Sequence, residues 1–176
     1  MLDLKVFKDG YEVSGSLLAK SEKNDCVVRA CANAFEIEYD QAHSFVKSRF
    51  NRNDLQATKN THNTLNDLCD EVTVFNNTEG TQLDLFSENL NKEYEVQHIG
   101  TEPKMGGTLI NRKYKHKKVA YTVKTFMQKY TKGTYLLLVN KHALVVKDGV
   151  VVDNPNYRFS GYRRTVSSAF KVVKNK

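Results

Sequence analysis

Residues 133 to 154, GTYLLLVNKHALVVKDGVVVDN, constrain the fold more than any other part of the chain. Gly133 introduces the apolar run TYLLLV, and KHALVVKDGVVVDN follows as two further strand-length runs around Asp148-Gly149. Asp-Gly between apolar runs is a strong two-residue hairpin signal, because both turn positions need positive φ. Leu144 to Val146 and Val150 to Val152 are apolar on both faces, so these strands should be central and covered on both sides. A further strand is expected around Arg164 to Val173. The covering layers are predicted as helices. CVVRACANAF, residues 26 to 35, is Ala-rich, free of Gly and Pro, and preceded by the N-cap residues Asn24 and Asp25. Asp40 opens a second helical pattern with Ala42, Phe45, Val46 and Phe50, and Thr61 caps a third with Leu65 and Leu68. Val119 to Tyr130 reads as a fourth. Helices followed by a mostly antiparallel sheet define an α+β arrangement in one domain, residues 1–176, with a helical part at about 24–70 and a sheet-rich part at about 119–173.

The rest is less patterned. Leu2, Leu4 and Val6 with Asp9-Gly10 read as a hairpin, Glu71 to Phe75 and Tyr94 to Ile99 as strands, and Gln82 to Leu90 as a short helix. Gly100 to Lys118, with Gly106-Gly107, is expected to be an exposed loop. Nine Tyr, nine Phe and 40% apolar residues exclude a disordered or collagen-like chain. No window approaches the roughly 18 apolar residues of a bilayer span, and the first ten residues lack the apolar core of a signal peptide. Three Cys at unequal spacing argue for reduced thiols rather than disulfides or zinc, and the expected compartment is the cytoplasm.

Lys and Arg number 27 against 20 Asp and Glu, for a net charge of +7. Arg112, Lys113, Lys115, Lys117 and Lys118 form one dense run, and Arg158, Arg163, Arg164, Lys171, Lys174 and Lys176 make the last stretch basic. Such a surface can steer nucleic acid or an acidic partner, although no nucleic-acid module signature accompanies it.

The chemistry centres on Cys26. A helix N-terminus favours negative charge, so a thiol placed there is favoured as the nucleophilic thiolate. Cys31 and Cys69 lack that placement and read as small buried hydrophobes. A nucleophile of this kind needs a base with an orienting partner. With Asp148-Gly149 as the turn, Lys147 pairs with Val150, Val146 with Val151 and Leu144 with Asp153. His142 then shares a face with Asp153, its diagonal neighbour at roughly 7 Å. A one-residue bulge would bring Asn154 to that face instead, so Asn154 is the alternative orienting residue. His43, His62, His98 and His116 have no second ligand at metal spacing. Gly106-Gly107 is not followed by the Lys-Ser or Lys-Thr of a phosphate loop. No metal or cofactor is expected.

NDCVVRACANAF, the hairpin sequence from Gly133 to Asn154 and the helix between them resemble the small papain-like cysteine peptidases, including minimal forms from bacteriophage and bacteria. Cys26, Arg29 and Ala30 are also similar to the nucleophile segment of ovarian-tumour type deubiquitinases, although Lys23 replaces their Asp. The resemblance covers residues 24–35 and about 119–154. It implies a papain-like fold, with Cys26 as nucleophile, His142 as general base then acid, and Asp153 orienting His142. It implies cleavage of a peptide, amide or isopeptide bond in a protein or peptide substrate, in the host cytoplasm if the chain is phage-encoded. Amidase, deamidase and transglutaminase chemistry would use the same groups. Papain-like enzymes add a Gln upstream of the nucleophile to the oxyanion hole. No Gln precedes Cys26, and Asn24 is the nearest amide that could serve. The rival expectation is an inactive module of the same fold that binds nucleic acid or a protein through its basic surface.

Overall fold

The computed structural model describes residues 6–8, 16–69, 94–99, 104–110, 113–119, 121–153 and 163–174. Helices come first: α1 (Leu17–Ser21), α2 (Cys26–Phe35), α3 (Tyr39–Arg49) and α4 (Thr61–Cys69), with α5 (Val123–Lys129) later in the chain. The strands are β1 (Val6–Lys8), β2 (Tyr94–Ile99), β3 (Lys104–Ile110), β4 (Lys113–Val119), β5 (Thr134–Val139), β6 (His142–Lys147), β7 (Val150–Asp153) and β8 (Val166–Lys174). A six-stranded sheet runs in the order β1-β7-β6-β5-β8-β2. All its pairings are antiparallel except β1 with β7. The fold is therefore α+β.

The expected burial of both sheet faces is found. Leu136, Leu138, Ala143, Val145, Val152 and Phe170 join one core with residues of α2, α3 and α4. Leu137, Leu144, Val146, Val151 and Ala169 join a second core with Val123, Phe126 and Met127 of α5. Side chains alternate along a strand, so runs apolar at every position feed both cores at once. The central hairpin has the expected register, Lys147 opposite Val150 and Val146 opposite Val151. Asp148 at φ 49° and Gly149 at φ 75° supply its turn.

Three expectations change. Residues 104–110 and 113–119 are not a loop, because β3 and β4 pair along their whole length as a separate two-stranded antiparallel ribbon. Lys-rich strands held by a backbone ladder carry no apolar alternation by which to read them. The helix expected from Val119 starts at Val123, where the Thr122 hydroxyl accepts the Thr125 N–H and Thr122 in turn is bonded by the Thr125 side chain, a capping box. Val119 itself ends β4. The helix α1, capped by Ser16, was not anticipated from its short Leu17-Leu18-Ala19 run. The Asp9-Gly10 turn, the strand expected at Glu71 to Phe75 and the helix expected at Gln82 to Leu90 lie outside the described residues. No described helix is long and apolar enough to cross a membrane.

Candidate active site

Cys26 is the first residue of α2 and half-buried, whereas every later residue of that helix is buried. Asp25 holds the N-cap position, yet its side chain makes no capping hydrogen bond. Its carboxylate is drawn away instead. Arg29 Nε donates to Asp25 Oδ2 at 2.9 Å from one turn along the helix, and Tyr39 Oη donates to the same oxygen at 2.7 Å. Burial, then the bond to Asp25, raises the pKa of the Tyr39 hydroxyl, so it remains a donor. The first N–H groups of α2 are thus left uncapped beside the thiol, and the partial positive charge of the helix end stays available to an anion there.

His142 opens β6, directly after Lys141 in the left-handed region at φ 57°. Its Nε2 lies 3.0 Å from both Oδ1 and Oδ2 of Asp153, the last residue of β7. Both side chains are 95% buried. Cys26 is coupled to His142 electrostatically, and its side chain helps to raise the imidazole pKa. Burial pulls the His142 pKa down. The hydrogen bond to Asp153 and the Cys26 side chain, and then the negative charge of Asp153, outweigh it and lift the value to about 9. At neutral pH this imidazole is therefore held as imidazolium. By contrast, burial drives the pKa of the Cys31 thiol far up, which keeps it protonated.

The segment leading into Cys26 is fastened by a second polar cluster. Glu22 Oε2 accepts from Arg52 Nη2 at 2.6 Å and from the Leu55 N–H at 3.0 Å, and Glu22 Oε1 lies 3.1 Å from His43 Nε2. Burial raises the Glu22 pKa, but the bonds to Arg52, Leu55 and His43 overcome this and bring it to about 2. Glu22, His43 and Asp54 place ligand atoms within 4.8 Å of one another, the arrangement among the described residues that resembles a metal site. The Arg52 guanidinium stands in the same cluster, 3.2 Å from His43 Nε2, and supplies the positive charge an ion would bring.

Of the residues singled out in the sequence, His142 and Asp153 meet directly, and Cys26 is coupled to His142 electrostatically. Asn24 does not cap α2. It is exposed at φ 55°, and its Nδ2 donates to the Leu55 carbonyl at 3.3 Å. Asn154 and Arg112 lie outside the described residues, while Lys113, Lys115, Lys117 and Lys118 are strand positions of β4. His43 is buried in the Glu22 cluster; His62 and His98 are exposed on α4 and β2. Glu22, Tyr39 and Arg52 carried no signal in the sequence, because their partners are far away along the chain. Compared with family models, curated proteins and solved structures, the chain matches none.

Proposed function

We propose that this chain is a papain-like thiol hydrolase that opens a peptide, amide or isopeptide bond through an acyl-enzyme on Cys26. The observation that carries the reading is the linked set Cys26, His142 and Asp153, with the thiol at an uncapped helix N-terminus. In the reactive state the Cys26 proton already resides on His142, and Asp153 stabilises that imidazolium and fixes the ring. The thiolate attacks the substrate carbonyl carbon, and the oxyanion that forms is met by the backbone N–H of Cys26. Collapse expels the amine, which leaves with the proton His142 returns, and a thioester remains. His142 then deprotonates a water that attacks the thioester, releasing the acid and restoring the thiol. One N–H of the Asn24 amide is engaged by the Leu55 carbonyl, and the steps above do not draw on Asn24.

The test is alkylation by iodoacetamide, followed at each cysteine by peptide mass spectrometry. Cys26 should react faster than Cys31 and Cys69 at neutral pH, and His142→Ala should slow it on the order of a hundredfold, as expected when a positioned base is lost. Equal rates at Cys26 in the two proteins would remove the reading.

A second reading, a polyanion-binding surface, is favoured by the distribution of charge. Residues 104–119 contain six Lys and Arg and no Asp or Glu, so they hold nearly all of the net +7. Nucleic-acid binding through this ribbon should weaken steeply with added salt. Absent or salt-insensitive binding would sink that reading.

A further inference from the structure

We propose that Arg52, through its ion pair with Glu22, is a positioning residue that sets where Cys26 stands relative to His142; this rests on the thiol-hydrolase reading. Arg52 is the only buried residue between 51 and 60, in a stretch with no helix or strand. Its side chain is fully buried and that of Glu22 nearly so. Hydrophobicity cannot account for an arginine in that place. Its partners can.

Arg52 Nη2 reaches Glu22 and also donates to the Lys23 carbonyl at 3.2 Å. Leu55, three residues on, donates its N–H to Glu22 and accepts from the Asn24 side chain. Each of the three residues between α1 and Asp25 is therefore held by residue 52 or 55. The backbone pays for this arrangement. Asn24, Asn51 and Leu55 all adopt left-handed φ of 55°, 49° and 62°, a conformation that persists in non-glycine residues only where neighbours over-determine it.

A buried ion pair is a weak source of stability, and an apolar pair of similar volume often does as well or better. What the pair adds here is direction. The two N–H groups of Nη2, held in the plane of the guanidinium, grip a side chain and a carbonyl of consecutive residues, and this fixes the path of the chain into the first turn of α2. The carboxyl of Glu22 stays ionised down to about pH 2, so the grip holds throughout the range in which a thiol enzyme works. A displacement of about 1 Å at a nucleophile is enough to lower rates up to a hundredfold.

The experiment uses the full chain, with iodoacetamide as probe across a pH series, and compares Arg52→Lys and the double variant Glu22→Leu with Arg52→Met against the wild type. Fully buried Cys31 serves as an internal monitor of unfolding. The double variant should keep its melting temperature and its protected Cys31, while Cys26 alkylation falls about tenfold or more. The shape of the pH profile should persist, because His142 and Asp153 are untouched. Arg52→Lys, which keeps the charge without the planar fork, should give a smaller drop of the same kind. If the double variant exposes Cys31, the near-isosteric Glu22→Gln takes its place and should show the same loss at Cys26. A folded variant whose Cys26 reacts at the wild-type rate overturns the positioning role alone. A wild-type Cys26 that is indifferent to His142→Ala overturns the hydrolase reading, and the positioning role with it.

Discussion

The two ends of α2 are built from different materials. At the C-terminal end Cys31 and Phe35 are fully buried, and Phe35 meets Phe45 and Tyr94 edge to face at centroid distances of 5.8 and 5.6 Å. At the N-terminal end Arg29 and Tyr39 meet the Asp25 carboxylate, and His142 meets Asp153, through buried directional hydrogen bonds. Apolar contact is non-directional and scales with area, so it holds the helix down without dictating where one atom sits. Hydrogen bonds contribute little net stability each, but they fix distances and angles. One end anchors the helix, and the other aims it.

Phe35→Ala should break the anchoring end with the largest effect, a loss of about 3–5 kcal/mol in urea unfolding, from lost burial plus the cavity left behind. At the aiming end the effect should depend on pH. The folded His142 pKa of about 9 lies above its ordinary 6.5, so the proton it gains on folding stabilises the protein fully below 6.5, and that contribution is lost as pH rises through about 9. Unfolding midpoints of the wild type and His142→Gln should therefore converge as pH rises through this window. A constant difference would mean that Asp153 does not hold that proton. The smallest effect is expected from Lys47→Ala. Lys47 and Asp54 are 3.0 Å apart but each about half exposed, and such pairs contribute about 0–1 kcal/mol. A loss well above that would show that Asp54 supports the Glu22 cluster from outside and would extend the aiming region to the surface.

Much of the fold was legible in the sequence because its signals are local. Asp148-Gly149 sets the β6–β7 register, and that register brings Asp153 to within hydrogen-bond reach of His142. The break at Asn24-Asp25 marks the start of α2 at Cys26. The β3–β4 ribbon was not legible, because lysine at alternate positions looks the same in a loop and in a strand whose only requirement is a backbone ladder. The parallel pairing of Val6–Lys8 with β7 was hidden as well, since nothing in three residues names a partner so distant along the chain.

The sequence by itself determined the α+β class, the central apolar strands, the helix that begins at Cys26 and the hairpin that joins His142 to Asp153, all of which depend on residues within one or two elements of each other. Only the tertiary structure decided that Cys26 is coupled to His142, that the Asp25 carboxylate turns from capping α2 to Arg29 and Tyr39, and that Arg52 grips Glu22 from 30 residues away. Periodicity and turn chemistry report what a residue's neighbours in sequence require. A buried charge reports its partner, and that partner is in place only after the chain has packed.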